Sequence, residues 1–219
     1  MLLHVPEVLN AAELSRVRER LIQAPSTDGR VTGHRTSLDD GAEAKELSEL
    51  VNAALARNTT FFAGALPRHI FPPSFHRHGV GDSFDARVDN AIRFDHRQEI
   101  SVPVRADLSA TLFLDEPVEY DGGELIIEDT YGTHTVKLAA GDMILFPASS
   151  LYRVEPVTRG ERASALFWIQ SLVRDEAQRR LLLELDVSIQ SLAQSTAPQA
   201  DVLRLTGIYH NLLRTWSEP

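Results

Sequence analysis

The segment from residue 101 to residue 170 is a series of short β-like runs separated by glycine-containing turns, and it constrains the fold more than any other feature. The turns include the sequences EYDGGE, DTYGT and AAGD, in which glycine supplies backbone conformations that other residues adopt poorly. Several short strands with such turns and no intervening helix predict a β-sandwich or a jelly-roll barrel. The predicted strands are 101–104, 110–114, 124–128, 133–138, 142–146 and 164–169.

Helical patterns flank this β segment on both sides. Residues 2–24, with Asn10 as the N-cap, and residues 44–57 carry apolar side chains at helical spacing. Two further helical patterns, 173–194 and 199–216, follow the β segment and are separated by the sequence STAPQA. We therefore expect an α+β protein with an N-terminal helical region at 1–70, a jelly-roll core at 71–172 and a C-terminal helical region at 173–219.

Composition excludes several classes of function. The chain has no cysteine, which excludes disulfides, thiol catalysis, zinc–cysteine sites and iron–sulfur clusters and favours the reducing cytoplasm. The net charge of −9, from 22 basic and 31 acidic residues, argues against nucleic acid as a partner. No apolar run approaches the roughly 20 residues of a membrane span, and the N-terminal apolar run is too short for a signal peptide. We expect a cytoplasmic protein without a nucleic-acid or membrane partner.

Three motifs in fixed order, YDGGEL, AGDMILFPASSL and PVTRGER, follow the sequence DARVDNAIR. With the flanking helical patterns, they make nearly the whole chain resemble the PKHD-type hydroxylases. These are bacterial relatives of prolyl and lysyl hydroxylases, within the iron(II)- and 2-oxoglutarate-dependent dioxygenases. The resemblance implies a double-stranded β-helix (jelly roll) with N-terminal helices and a C-terminal helical extension. It also implies Fe(II) and 2-oxoglutarate as the cofactors of intact relatives.

The metal-binding motif of that family is altered in this chain. Its His-x-Asp corresponds to Arg87-Val88-Asp89, its distal histidine to Tyr152, and the arginine that binds the far carboxylate of 2-oxoglutarate to Arg162. Arginine has no lone pair for a metal, and tyrosine, with an ordinary pKa near 10, is a poor ligand for ferrous iron. Because the ferrous site needs three protein ligands, we expect no cofactor to be bound in the ordinary way.

Other side chains offer alternatives at the same place. Without a metal, Asp89 needs a partner, and we expect an ion pair with Arg87 beside a neutral Tyr152 hydroxyl; the alternative is that Arg87 extends into solvent. His76 and His78 are two residues apart and would share a face of a strand. They form an alternative metal site with Asp89, or they line the mouth of the barrel without a metal.

The remaining candidates belong to the same pocket. His78 stands where relatives have an aromatic hydroxyl near the co-substrate. Arg162 is expected to bind 2-oxoglutarate or another small dicarboxylate, or to pair with a nearby acid. Asn90 and Arg93 follow the family pattern, and they line the mouth or only hold the strand end. Weaker pocket candidates are Thr111, Ser149 and Ser164.

Two functions follow from these residues. The first is a non-redox pseudoenzyme that binds a small carboxylate or a protein partner, which would be an identical chain in a dimer or an active paralogue. The second is an oxygenase that hydroxylates an unactivated C–H bond through a non-standard metal site, with Asp89, a histidine such as His78 and water as ligands. The substrate is not specified, because specificity in such folds lies in loops, here residues 28–43 and 94–100.

Overall fold

Two antiparallel sheets face each other in the computed structural model, which describes residues 1–23, 36–38, 42–95, 101–129 and 132–218. The larger sheet has seven strands, and the smaller sheet has four. Side chains from both sheets meet between them in one buried apolar cluster, which includes Phe113, Phe146, Leu125 and Ile127. The barrel interior is therefore the space between the two sheets.

The larger sheet is built around one long strand. Its strands in spatial order are β1 (Leu3–Val5), β12 (Met143–Pro147), β8 (Leu108–Phe113), β15 (Arg162–Ser171), β4 (Ser74–His78) and β2 (Thr36–Leu38), and β3 (Pro67–Ile70) also pairs with β15. Within this sheet β15 has 10 residues and pairs with β8 along one edge and with β4 and β3 along the other.

The smaller sheet and two ribbons complete the β structure. The smaller sheet contains β11 (Gly132–Val136), β10 (Leu125–Asp129), β13 (Leu151–Val154) and β5 (Phe84–Arg87) in that order. The ribbons pair β14 (Val157–Arg159) with β9 (Asp121–Gly122) and β6 (Ile92–Asp95) with β7 (Val102–Arg105). In the described chain β5 is therefore an edge strand, and the site residues that follow it leave the sheet at once.

Two helices pack on the outer face of the larger sheet, and two others form the C-terminal part of the chain. The described helices are α1 (Ala11–Gln23), α2 (Ala42–Arg57), α3 (Thr59–Ala65), α4 (Glu176–Ala193) and α5 (Gln199–Trp216). α1 begins with a capping box, in which the Asn10 side chain accepts from the Glu13 amide and the Glu13 carboxylate accepts from the Asn10 amide. Val17, Leu47 and Val51 of α1 and α2 are fully buried against the sheet. Of the five helices in the described part of the chain, none combines the length and apolar character that a membrane span requires.

The sequence predictions of the α+β class and of the six strands are confirmed, with small shifts in the strand ends. Each of the four predicted helical segments contains a helix, but the first one begins only at Ala11 and not at residue 2. The first 70 residues differ from a purely helical region, because β1, β2 and β3 join the larger sheet. The helix α3 was not predicted. The division of the chain at residues 70 and 172 stays a prediction, and the specificity loop at 28–43 lies mostly outside the described residues.

The sequence EYDGGE, predicted as a turn between neighbouring strands, does not form a hairpin turn. Asp121 and Gly122 instead form β9, which pairs with β14 more than 30 residues further along the chain. Gly122 and Gly123 have φ angles of +72° and +66°, so the expected positive-φ glycines are present. They allow close packing as well as a turn, because a Cβ on Gly122 would lie 2.1 Å from the Pro156 carbonyl oxygen.

Replacing Gly122 with alanine should destabilise the protein much more than the same change at Gly81. Gly81 also has a positive φ, +89°, but its Cβ position is open, so it reports the backbone penalty alone, about 1–3 kcal/mol. Gly122→Ala adds a clash with a backbone oxygen, and we expect its loss in free energy of unfolding to exceed that of Gly81→Ala by about 2 kcal/mol or more. Urea denaturation measures both, and equal losses would contradict this packing role.

Candidate functional site

The inner face of β15 carries a row of polar side chains that faces the barrel interior. Arg162 lies opposite His78 of β4, and Ser164 lies opposite His76, in antiparallel register. Because alternate residues of a strand share a face, these four side chains point to one side of the sheet. They line a cavity of about 30 Å³ between the two sheets. Its other lining residues are Phe84, Thr111, Leu125, Tyr152, Val154 and Leu166.

Arg162 is a buried cation with unused hydrogen-bond donors. Its side chain is 1% exposed, and its Nη1 donates to the Ser164 hydroxyl at 2.9 Å, while its Nε and Nη2 have no hydrogen-bond partner. Burial lowers the pKa of the Arg162 guanidinium, and the nearby hydroxyl of Tyr120 opposes that effect without reaching hydrogen-bonding geometry. Unmet buried donors cost free energy, so a ligand whose acceptor atoms reached these N–H groups would be bound favourably.

The YDGGEL motif holds this arginine in place. A Cβ on Gly123 would lie 3.0 Å from Cδ of Arg162 and 3.3 Å from Cε2 of Tyr120. The missing side chain at Gly123 thus makes room for the stem of the guanidinium. The motif that marks the family resemblance in sequence is part of the wall behind the cation.

Asp89 connects the two sheets through hydroxyl groups. The Tyr152 hydroxyl on β13 donates to Asp89 Oδ1 at 3.0 Å, and the Ser109 hydroxyl on β8 donates to Asp89 Oδ2 at 2.6 Å. Tyr152 belongs to the smaller sheet and Ser109 to the larger one. We call this arrangement of Asp89, Tyr152 and Ser109 the Asp89 clasp, because one carboxylate ties the sheets together at the mouth.

The phenol of Tyr152 is held in its neutral form. Its side chain is 3% exposed, and burial, followed by the nearby Asp89 carboxylate, raises the pKa of Tyr152 well above its ordinary value. A neutral phenol donates a hydrogen bond to Asp89 but supplies no anionic oxygen to a metal.

The predicted ion pair between Arg87 and Asp89 is wrong. Arg87 lies opposite Tyr152 in register, and its Cζ is 3.5 Å from the ring centroid of Phe84, which stacks on the Tyr152 ring at 5.9 Å. No ion pair joins Arg87 to Asp89 in the described chain, where both Asp89 oxygens accept from hydroxyls. β5 ends at Arg87, so the same-face spacing expected for residues two apart on a strand does not extend to Asp89. The aromatic ring offers the guanidinium a cation–π contact instead.

A second arginine, Arg93, lies beside the clasp. Its Cζ is 3.3 Å from the ring centroid of Trp168, and its buried Nε has no hydrogen-bond partner. Burial lowers the pKa of Arg93, and the charge of Asp89 opposes that effect. Asn90 is exposed, in keeping with a place near the mouth. Trp168 was missed by sequence reasoning, although its even spacing from Arg162 along β15 could have placed it on the inner face.

The histidine pair and two of the three weaker candidates line the same cavity, and the third candidate does not. His76 and His78 line the cavity, and the Nε2 of His76 lies 2.8 Å from the Ser74 hydroxyl. The alternative metal site with Asp89 is not formed, since the described residues contain no group of three His, Cys, Asp or Glu side chains placed to hold a metal ion. Thr111 and Ser164 line the cavity as predicted. Ser149 does not, because it lies in a separate cleft near Met1 and Glu176.

The residues at this site fit a carboxylate and do not fit a ferrous ion. At the positions of the metal motif, one side chain is a guanidinium without lone pairs, one is a protonated phenol, and the single carboxylate already accepts two hydroxyls. The unmet N–H groups of Arg162 match a carboxylate, which accepts hydrogen bonds from a guanidinium with favourable geometry.

Comparisons of sequence identify two family models. Residues 73–170 match the model of the 2OG-Fe(II) oxygenase superfamily, and residues 176–218 match the PKHD-type hydroxylase C-terminal domain. A PKHD-type hydroxylase of Xanthomonas campestris pv. campestris (strain B100) is 53% identical over 227 residues, and one of Burkholderia thailandensis is 50% identical over 228 residues. Each match covers 100% of both chains.

Solved structures share the fold at low sequence identity. A 2OG-Fe(II) oxygenase family oxidoreductase from Burkholderia pseudomallei has a TM-score of 0.56 at 18% identity and covers 76% of this chain and 82% of its own. The viral collagen prolyl hydroxylase of Paramecium bursaria Chlorella virus-1, solved with 2OG, has a TM-score of 0.55 at 15% identity and covers 78% of this chain and 95% of its own. These likenesses confirm the predicted jelly-roll fold.

Replacing Arg162 with methionine should stabilise the protein in the absence of ligand. The change removes a buried charge with unmet donors and keeps much of the side-chain volume, so we expect the free energy of unfolding to rise by about 1–3 kcal/mol. Arg179 is the matched control: it is 2% exposed, and its Nη1 donates to the carbonyl oxygens of Val173 and Arg174, although one of its buried nitrogens, Nε, lacks a partner, against two in Arg162. Arg179→Met should lower the free energy of unfolding by about 1–3 kcal/mol.

Chemical denaturation in buffer free of carboxylates measures both variants. If Arg162→Met were as destabilising as Arg179→Met, the Arg162 guanidinium would be a structural group, and its donors would not be reserved for a ligand.

Proposed function

Since the chain belongs to the PKHD-type hydroxylases of the 2OG-Fe(II) oxygenase superfamily, we propose that it is a non-redox member of that family. It acts as a pseudoenzyme that binds a small carboxylate at Arg162 without a ferrous ion. Relatives in this superfamily use Fe(II) and 2-oxoglutarate, and this chain keeps their fold. We assign it to the cytoplasm on the absence of cysteine alone.

The Asp89 clasp is the observation that carries the proposal. The positions of the metal motif hold a phenol that donates to the carboxylate and a guanidinium that stacks on an aromatic ring. The hydroxyls of Tyr152 and Ser109 each donate to one oxygen of Asp89, so the carboxylate already has a protein partner on both oxygens. Residues of the altered motif therefore make contacts that join the two sheets.

Carboxylate binding is supported by the retained cation. Arg162 is buried, directed into the cavity and short of acceptors, and it is placed by the YDGGEL motif. A buried guanidinium with unmet donors lowers the stability of the fold, and binding of an anion would offset that cost.

A protein partner is the second part of the proposal, and we take it to be an identical chain or an active paralogue. Exposed apolar side chains next to the mouth support it. Ile92 and Phe94 on β6 are 50% and 54% exposed, and Val88 is 52% exposed. Acidic net charge and the lack of a long apolar helix in the described residues leave nucleic acid and membranes outside the proposal.

The competing hypothesis of an oxygenase with a non-standard metal site has less support. It needs several donors around Asp89, and no group of three His, Cys, Asp or Glu side chains placed for a metal occurs among the described residues. We keep it as the outcome that a metal measurement would reveal.

Restoring two histidines should create metal binding that the wild-type protein lacks. Arg87 and Tyr152 are cross-strand partners, so Arg87→His with Tyr152→His places two imidazoles beside Asp89. We expect the double variant, but not the wild type, to retain stoichiometric Fe(II) or Mn(II) after anaerobic dialysis and metal analysis. Adding Asp89→Ala is the control and should abolish the gain. Stoichiometric iron in the wild type, or conversion of 2-oxoglutarate to succinate, would refute the pseudoenzyme proposal.

Carboxylate binding should be independent of metal and dependent on Arg162. In protein treated with a chelator, we expect acetate or 2-oxoglutarate to cause saturable shifts in amide NMR spectra. Arg162→Gln should weaken binding by about 10- to 100-fold, the effect of losing charged hydrogen bonds. Arg159→Gln is the control, because Arg159 is exposed and pairs with Asp121, and it should leave binding unchanged. Binding that is absent for both acids, or that survives Arg162→Gln, would refute the site.

A further inference from the structure

We propose that the cavity at Arg162 selects short monocarboxylates with an apolar tail over dicarboxylates such as 2-oxoglutarate. This inference rests on the proposed carboxylate site and names the class of ligand that the site accepts. It departs from the cofactor of the intact relatives, and it comes from the distribution of polar and apolar side chains around the cavity.

The cavity has one polar wall and one apolar wall. The wall from the larger sheet is mainly polar: it contains Arg162, Ser164, Thr111, His76 and His78 beside one apolar side chain, Leu166. Because these side chains lie on one face of adjacent strands, they would surround a single carboxylate. A ligand group that is not held by this wall must face the other one.

The opposite wall offers carbon surfaces. Phe84, Leu125, Val154 and the ring of Tyr152 come from the smaller sheet, and all four side chains are at most 8% exposed. The Tyr152 hydroxyl is the polar atom of this group, and it already donates to Asp89. A methyl or methylene group gains from burial here, whereas a second carboxylate would lose its hydration without gaining donors.

Charge around the cavity points the same way. Among the described residues that line it, Arg162 is the one lysine or arginine, so one anionic group can be neutralised by a fixed positive charge. Arg87 and Arg93 do not line the cavity, because they stack on Phe84 and Trp168. Next to Tyr152, the charge of the Asp89 carboxylate is offset by the nearby Arg87 and Arg93 guanidiniums, so selectivity depends on the apolar wall and on the single cation of the lining.

The volume sets the length of the tail. A cavity of about 30 Å³ has room for about two or three water molecules, so a carboxylate and a short hydrocarbon group fill it. A diacid with a chain between its charged ends does not fit within this volume, so the side chains of the densely packed apolar wall would have to move apart or its second carboxylate would remain outside the cavity.

Chelator-treated protein titrated with formate, acetate, propionate and butyrate, and with succinate and 2-oxoglutarate at matched ionic strength, tests the inference. We expect each added methylene to tighten the dissociation constant by about fourfold until the cavity is full, as burial of one such group predicts. Succinate and 2-oxoglutarate should bind at least about tenfold more weakly than the preferred monocarboxylate, because their second charge is desolvated. Amide NMR shifts report the affinities.

A matched pair of variants ties the selectivity to this cavity. Leu125 and Ile127 are both 1% exposed on β10, but only Leu125 lines the cavity. Leu125→Val should shift the preferred acid to one with a longer tail, whereas Ile127→Val should leave the order unchanged. Both changes remove one methylene group from a buried side chain and are mild enough to keep the fold.

The outcomes separate this inference from the proposed function. Monocarboxylate preference that shifts with Leu125→Val supports it. Equal or tighter binding of 2-oxoglutarate or succinate overturns the inference and leaves the carboxylate site standing. An unchanged order in Leu125→Val overturns the role of the apolar wall. Failure of every acid to bind refutes the proposed function together with this inference.

Discussion

The pairing of β15 with neighbours on both edges is the constraint on which the rest of the molecule depends. This strand has 10 residues and joins β8 on one side to β4 and β3 on the other. Its inner face carries Arg162, Ser164 and Trp168 in a fixed row, so backbone hydrogen bonds decide how deep each side chain lies. The cation is held in the interior because the strand that bears it cannot shift by one residue without turning its whole inner face outward.

The strands of the core can be predicted from the sequence, whereas the short strands β1 and β3 and the short helix α3 cannot. The core strands are short β-like runs separated by glycine-containing turns, so each one can be recognised from its own neighbourhood in the sequence. β1 and β3 are short, and they are strands because β12 and β15 supply partners that are far away in sequence. The seven-residue helix α3 is shorter than a helical pattern that can be recognised by periodicity.

The same holds for the candidate site. The sequence motifs identify Asp89, Tyr152 and Arg162, because a motif fixes which residue stands at which position of the chain. The partners of those residues depend on how the two sheets pack, and neither the Ser109 hydroxyl on Asp89 nor the Arg87 guanidinium on Phe84 has a signature in sequence. Instead of the expected ion pair, Asp89 accepts hydrogen bonds from two hydroxyls, and Arg87 stacks on an aromatic ring.

The Asp89 clasp has a consequence for how this protein responds to its surroundings. In a metalloprotein the ion contributes to the free energy of folding, so the amount of folded protein varies with metal supply. Here the two sheets are fastened by a carboxylate and two hydroxyls that are part of the chain itself. Under the proposed function, the folding of this chain would therefore not depend on the supply of iron.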